Sequence, residues 1–244
     1  MYTITVNGIP HQTDRDQKLI DYLRDELRLT SVKNGCGEGA CGTCTILVDG
    51  KKMRACILTV AKANGKSITT LEGLSQREKE VYVHCFGEAG AVQCGFCIPG
   101  MVISAKALLD SNLSPTRQEV KAALKGNICR CTGYVKIEDA ILMAAEFFRE
   151  DKPVPQRRQD GVIGSHFVRV DTEEKVLGTG QYVDDLQFPG MIYAKALRTK
   201  YPRARVLRIN IDKASQHPDV VRILTADNVP FNKTGHIVPD WDVM

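Results

Sequence analysis

The chain has 244 residues, of which 43% are hydrophobic. A chain of this length and hydrophobic content can form about one to three compact domains with ordinary cores. Lys and Arg exceed Asp and Glu only by 33 to 29, and no block of basic residues stands out. The composition therefore argues against extensive disorder and against nucleic acid as a partner.

The sequence gives no sign of export or of a membrane anchor. Its start, "MYTITVNGIP", has neither the basic nor the apolar region of a secretory signal, and no later run reaches the ~18 apolar residues of a membrane span. We therefore expect a cytoplasmic protein with no membrane partner. A reducing compartment keeps thiols reduced, so the nine cysteines indicate metal binding rather than disulfides.

Eight of the nine cysteines fall into two groups of four, which predict two metal sites with four ligands each. Cys85 stands apart and is interpreted as a buried apolar residue. The first group comprises Cys36, Cys41, Cys44 and Cys56, and the second comprises Cys94, Cys97, Cys129 and Cys131.

The segment around the first group predicts two hairpins and one helix. Turns at Asn7-Gly8 and Asp49-Gly50 are typical of two-residue hairpin loops, and the second hairpin would carry Cys56 on its far strand. Between them, "DQKLIDYLRDELRL" predicts a helix capped by Asp16. One face of that helix would carry Leu19, Leu23 and Leu27.

The first cysteine group has the C-x4-C-x2-C…C spacing of plant-type two-iron, two-sulfur ferredoxins. Its glycines allow positive φ, so backbone N–H groups can point at sulfur. A zinc loop is the alternative, although zinc sites usually pair CxxC with a second CxxC or with His. The glycines in question are Gly35, Gly37, Gly39 and Gly42.

The second group joins a CxxC pair to a CxC pair. Pro99 begins one predicted helix directly after Cys97, and Ser114-Pro115 begins another that Gly126 ends. Two helices joined by a short loop fold back on each other, so the two cysteine pairs should meet. Cys129 and Cys131 point the same way in an extended segment. A zinc site remains the alternative here as well.

"VQCGFCIPGM" and "GNICRCTGY", downstream of "GCGEGACGTC", resemble the iron–sulfur domains of the molybdenum hydroxylase family, which includes xanthine dehydrogenases and aldehyde oxidoreductases. The resemblance implies an α+β fold: a ferredoxin-like β-grasp [2Fe-2S] domain over residues 1–75, then a four-helix [2Fe-2S] domain over residues 76–150. The last helix would be "KIEDAILMAAEFFRE". Its apolar residues at helical spacing are Ile137, Ile141, Ala144 and Phe148.

The resemblance continues past a polar linker over residues 151–165, which carries two prolines. Residues 166–244 are similar to the start of the molybdopterin-binding subunit, its α/β hammerhead region. We expect strands in "MIYAKALR" and "RVLRINI" and a short helix at "DKASQ". We also expect this region to need a partner, either because the polypeptide continues past Met244 or because the other molybdopterin-binding domains arrive as a separate chain.

The family resemblance implies an oxidoreductase. Electrons would pass one at a time from a molybdopterin centre, which hydroxylates a purine, another heteroaromatic or an aldehyde, through two [2Fe-2S] clusters towards a flavin or other acceptor. Gln93 and Cys131 would contact the molybdopterin, a cytosine dinucleotide held mainly by domains outside this chain. FAD would lie on a partner subunit. We assign no catalytic residue, and Asp184-Asp185 is interpreted as a turn.

Two other functions fit the cysteines: a free-standing two-cluster electron carrier and a zinc-stabilised interaction module. Residues 175–230 favour the hydroxylase, because a simple carrier does not need the start of a molybdopterin subunit. The order of motifs is similar to that of purine and xanthine hydroxylases of anaerobic bacteria.

Overall fold

The computed structural model describes residues 1–156 and 162–244, so the predicted linker lies partly outside the described residues. The chain divides into two compact units, Met1–Gln187 and Phe188–Met244. No helix among the described residues is long and apolar enough to cross a membrane.

The first unit begins with a five-stranded mixed sheet in the order β2-β1-β5-β3-β4. β1 runs parallel to β5, and the other neighbouring strands are antiparallel. Both predicted hairpins are confirmed, because Asn7, Gly8, Asp49 and Gly50 all have positive φ at the two turns. The strands are β1 Tyr2–Val6, β2 Ile9–Thr13, β3 Thr45–Val48, β4 Lys51–Arg54 and β5 Ser67–Thr69.

The helix predicted between the hairpins is short and irregular. It begins as α1, Leu19–Asp21, and continues as a π-helical turn, Tyr22–Glu26. The predicted cap at Asp16 is wrong, because its carboxylate accepts a hydrogen bond from Ala61 N at 3.0 Å instead. The helix still packs on the sheet as predicted through Leu19 and Leu23, which are buried, and Leu27 is partly buried.

Four helices follow the sheet and enclose the larger hydrophobic core. They are α2 Gln76–Glu88, α3 Ile98–Leu109, α4 Arg117–Ala123 and α5 Val135–Arg149. Pro99 lies in the first turn of α3, as predicted. The predicted cap at Ser114 is wrong, because Thr116 and Glu119 form a reciprocal capping box that starts α4 two residues later.

The inward face of α5 agrees with the predicted spacing. Ile137, Ile141 and Ala144 are fully buried, and Phe148 packs at the edge of the same core. A short helix, α6 Thr172–Leu177, packs against α2 and α3 and buries Thr172 and Val176. The first unit therefore includes residues beyond the four helices.

The second unit, Phe188–Met244, has little regular structure. It contains α7 Asp212–Ser215, which matches the predicted short helix, and a single-residue bridge between Thr234 and Trp241. The strands predicted around Leu197 and Ile209 are wrong for the described structure, and both side chains are exposed. An extended segment needs a hydrogen-bonded neighbour to form a stable strand, and periodicity alone does not supply one.

A core substitution tests the packing of the helices. Phe86→Ala removes a fully buried aromatic ring from α2 and should lower the free energy of unfolding by about 3–5 kcal/mol. Glu80→Ala changes an exposed residue of the same helix and should stay within about 0.5 kcal/mol of the wild type. Urea titration followed by circular dichroism measures both, and equal midpoints for the two variants would contradict this packing.

Candidate metal centres

The first cysteine group lies around the start of β3. Cys36 and Cys41 belong to the loop before it, and Cys44 directly precedes the strand. Cys56 was predicted on the far strand, which is wrong: β4 ends at Arg54, and Cys56 lies in the 3-10 turn Ala55–Ile57. Ala55 N donates to the Cys44 carbonyl at 3.1 Å, so the hairpin pairing continues just far enough to bring Cys44 and Cys56 together.

Backbone N–H groups point at the sulfurs of this first site. Gly39 N lies 3.1 Å from Cys56 Sγ, and Cys41 N lies 3.4 Å from Cys36 Sγ. Backbone hydrogen bonds, led by that of Glu38, lower the pKa of Cys36 to about 6. Burial has the opposite effect on Cys44 and raises its pKa to about 12. The loop therefore favours the thiolate form of Cys36, because backbone N–H groups stabilise its negative charge.

The glycines of the first loop serve two purposes. Gly37, Gly39 and Gly42 adopt positive φ, as predicted. Gly35 does not; it is needed for space, because a Cβ there would lie 2.9 Å from Cys41 Sγ. Positive φ in this loop turns successive N–H groups towards the sulfurs.

The second cysteine group lies where α3 begins and where α4 gives way to α5. Cys97 is the N-cap of α3, and Cys94 precedes it by one turn. Cys131 Sγ lies 3.7 Å from Cys94 Sγ, while Cys129 is the side-chain neighbour of Cys97. Each sulfur of the CxC pair thus lies next to one cysteine of the CxxC pair: Cys131 next to Cys94, and Cys129 next to Cys97.

Neighbouring polar groups hold Cys129 in place. Thr132 donates to Cys129 Sγ from its backbone N at 3.4 Å and from Oγ1 at 3.1 Å, and Cys129 N donates to Tyr134 Oη at 2.8 Å. Burial raises the pKa of Cys129, but the Thr132 donors outweigh it, and the pKa lies below its ordinary value. At Cys97, where burial is the largest effect, the pKa is raised.

In the described part of the chain, no three His, Cys, Asp or Glu side chains converge on the position of a single metal ion. The sulfurs form neighbouring pairs instead, two pairs to each group. A [2Fe-2S] cluster takes four thiolates divided between two irons and is tuned by hydrogen bonds to sulfur. Both donor sets therefore fit such a cluster.

The two sites contact each other through the backbone next to their cysteines. Ile128 N, adjacent to Cys129, donates to the carbonyl of Cys41 at 2.8 Å. The buried Asn127 donates from Nδ2 to the Gly42 carbonyl at 3.0 Å and accepts from Ser104 Oγ at 2.8 Å. Asn127 was not among the predicted site residues, because its position before a CxC pair does not reveal which distant carbonyl it contacts.

The remaining candidate residues lie outside the two sulfur sets. The Gln93 side chain is exposed, and its backbone carbonyl accepts from Arg169 Nη1 at 2.8 Å. Cys85 is buried as predicted, and burial raises its pKa to about 12. Asp185 lies in a 3-10 turn and pairs with basic side chains, while the side chain of Asp184 lies outside the described residues.

Three family models match the chain in succession. A 2Fe-2S iron-sulfur cluster binding domain matches residues 4–69, and a [2Fe-2S] binding domain matches residues 70–142. The a/b hammerhead domain of aldehyde oxidase and xanthine dehydrogenase matches residues 177–242.

Individual relatives agree with these models. The nicotinate dehydrogenase small FeS subunit of Eubacterium barkeri is 48% identical over 135 residues, which are 55% of this chain and 86% of that subunit. The chain belongs to the molybdenum hydroxylase family. The aldehyde oxidoreductase of Megalodesulfovibrio gigas is 38% identical over 243 residues, which are 93% of this chain and 26% of that enzyme.

Solved structures of the family extend the likeness to three dimensions. The crystal structure of the aldehyde oxidoreductase from Desulfovibrio desulfuricans superposes with a TM-score of 0.69 at 42% identity, covering 75% of this chain and 22% of that one. The chain therefore spans nearly all of a small FeS subunit but about a quarter of the aldehyde oxidoreductases.

Contact between the two cysteine-bearing loops can be tested at Gly42. It has a φ of +73°, and a Cβ there would lie 2.2 Å from the Gly126 carbonyl oxygen. Gly42→Ala should therefore destabilise the protein well beyond the roughly 1–2 kcal/mol cost of a left-handed alanine. Gly50→Ala is the matched control, with a φ of +75° and no atom within 4 Å of the added Cβ. Similar thermal unfolding midpoints for both variants would argue against the contact.

Proposed function

We propose that this chain is the electron-transfer portion of a molybdenum hydroxylase, in which eight cysteines hold two [2Fe-2S] clusters. Cys36, Cys41, Cys44 and Cys56 hold the first cluster, and Cys94, Cys97, Cys129 and Cys131 hold the second. When bound, each cluster accepts and releases one electron. The division matches a ferredoxin-like domain over residues 1–75 and a four-helix domain over residues 76–150.

The hydrogen bond from Ile128 N to the Cys41 carbonyl carries this proposal. It joins a residue adjacent to a ligand of the second site directly to a ligand of the first site. Asn127 supports the proposal, because its side chain donates to the Gly42 carbonyl, one residue further along the first loop. The two ligand sets thus share one rigid backbone contact, which suits electron transfer between them.

The chain's own groups would set the properties of each site. Gly39 N and Cys41 N direct N–H groups at sulfur in the first site, and Thr132 does so in the second. Such hydrogen bonds stabilise the added negative charge of a reduced cluster and so raise its potential.

The second site is the better candidate for the side that faces the molybdopterin. Cys94 and Cys131 are exposed, and Gln93, which precedes Cys94, is exposed as well. We propose that Gln93 and Cys131 contact the molybdopterin, a cytosine dinucleotide held by domains that follow or accompany this chain. An exposed amide offers donors and acceptors to such a ligand.

The substrate class follows only from the relatives. Their printed names refer to nicotinate, nicotine, xanthine, caffeine and aldehydes. We propose a heteroaromatic or aldehyde substrate for the complete enzyme, and an FAD-carrying subunit as the electron acceptor. We also propose a cytoplasmic location, where the nine free cysteines would stay reduced.

The metal content tests the proposal directly. Because each cluster contains two irons and two sulfides, the purified chain should hold about four iron and four acid-labile sulfide. Iron, sulfide and zinc are measured in the same preparation. A stoichiometric zinc content without iron would support the zinc-stabilised module instead.

The assignment of cysteines to separate sites predicts selective losses. Cys56→Ser removes a ligand of the first site and Cys131→Ser a ligand of the second, so each variant should lose or alter one of two EPR signals in the reduced protein. Cys85→Ala is the control, since Cys85 lies in the helical core and belongs to neither set. Loss of both signals in each folded single-ligand variant would contradict two independent sites.

A further inference from the structure

Residues 168–187, which we call the clamp segment, follow the helices, contact the second cysteine site directly and are linked to the first through Lys33. The segment begins tightly packed on α2: a Cβ on Gly87 would lie 2.8 Å from Val168 Cγ1 and 3.3 Å from Thr172 Cγ2. Thr172 and Val176 of α6 are fully buried. Close packing of this kind is typical of a structural element rather than of a connecting tail.

The middle of the clamp segment lies between the approaches to the two sites. Gly178 ends α6 in the left-handed conformation. A Cβ on Gly178 would lie 2.7 Å from the Cα of Ser31 and 3.1 Å from Cγ of Pro99. Ser31 precedes the first ligand loop, and Pro99 lies in the helix that Cys97 caps. The segment therefore passes through a space that only glycine fits.

Tyr182 connects the clamp segment to the second site. Its hydroxyl donates to the carbonyl of Cys94 at 2.8 Å. Its ring meets Phe96 edge-on, with ring centroids 5.1 Å apart, and Lys175 Nζ lies 4.3 Å from the Tyr182 ring centroid. Three contacts of different kinds thus fix one side chain beside a cysteine of the second set.

Asp185 connects the same turn to the first site. Its carboxylate accepts from Arg24 Nη2 at 2.5 Å, from Lys33 Nζ at 3.2 Å and from the Tyr182 backbone N at 3.1 Å. The Lys33 side chain is only 1% exposed, so its charge depends on this partner.

Lys33 in turn is connected to the first ligand loop through its backbone. The Lys33 carbonyl accepts from Thr43 Oγ1 at 3.0 Å, and Thr43 Oγ1 lies 3.3 Å from Cys41 Sγ. A chain of contacts therefore runs from Asp185 through Lys33 and Thr43 to a cysteine of the first set.

We propose that the clamp segment is a structural part of the electron-transfer unit, in which Tyr182 positions the Cys94 loop and Asp185 positions the first ligand loop through Lys33. The inference rests on the proposed function, since it concerns the setting of the two clusters. Hydrogen bonds and solvent exposure around sulfur set cluster potentials, so both residues influence those potentials without ligating iron.

Tyr182→Phe in the full chain tests the first half of the inference. The ring and its packing remain, and only the donor to the Cys94 carbonyl is lost. The EPR g-values of the second cluster should shift and its midpoint potential should fall, while the first cluster keeps its values. Val183→Ala, at an exposed neighbour in the same turn, should leave the g-values and midpoint potentials of both clusters unchanged. An unshifted second cluster in iron-replete Tyr182→Phe protein would overturn the role of Tyr182.

Asp185→Asn tests the second half. It leaves the buried Lys33 cation without its carboxylate, so the EPR signal of the first cluster should shift and the thermal midpoint should fall. Asp185→Glu keeps the charge and should recover most of both values. A first-cluster signal identical to that of the wild type in Asp185→Asn would refute the link through Lys33. If Asp185→Asn does not fold, Tyr182→Phe still decides the first half of the inference.

The iron assay of the wild-type chain distinguishes failure of the proposed function from failure of the proposal about the clamp segment. A wild-type chain without iron defeats the proposed function. A wild-type chain with about four iron, together with unshifted variants, defeats the clamp alone. Amide hydrogen exchange adds a readout independent of EPR: peptides covering residues 92–97 should exchange faster in Tyr182→Phe than in Val183→Ala.

Discussion

The contact between the residues next to Cys41 and those next to Cys129 is the constraint on which the rest of this structure depends. Two backbone segments 85 residues apart approach closely enough for Asn127 Nδ2 to donate to the Gly42 carbonyl. No side chain fits at Gly42 or at Gly100 of α3, because a Cβ on Gly100 would lie 2.7 Å from the Gly42 carbonyl oxygen. At this point the loop before β3 and helix α3 therefore meet through backbone.

This backbone contact explains why a buried polar group is present at the interface of two hydrophobic cores. Carbonyl groups brought together without side chains between them need donors, because an unpaired buried carbonyl is costly. Asn127 offers a donor to Gly42 and an acceptor to Ser104, so both its polar ends are satisfied. A hydrophobic residue of similar volume would remove both of these hydrogen bonds.

Much of the local structure could be predicted from the sequence, since it follows from neighbouring residues. Asn7-Gly8 and Asp49-Gly50 specify their turns through positive φ, and the cysteine spacing alone separates the two groups of cysteines that are neighbours in the structure. Long-range pairs could not be predicted. Asp185 meets a lysine 152 residues away, and nothing near either residue in the sequence encodes that pairing.

The strands predicted in the second unit are absent from the described residues for a related reason. Alternating apolar residues indicate which face of a strand could be buried, but a strand forms only where a neighbour offers backbone hydrogen bonds. Leu197 and Ile209 have the alternation and are exposed among the described residues. The first hairpin forms because its turn brings Tyr2–Val6 and Ile9–Thr13 together within the same short segment.

The surroundings of the two cysteine sets stabilise charge in different ways. Cys44 and Cys56 are buried, and the first loop compensates with N–H groups such as that of Gly39. Cys94 and Cys131 are exposed, so water stabilises charge there. Both arrangements favour the extra negative charge of a reduced cluster. Burial alone would make a cluster in the first site the harder to reduce, and the N–H groups of its loop would oppose that difference.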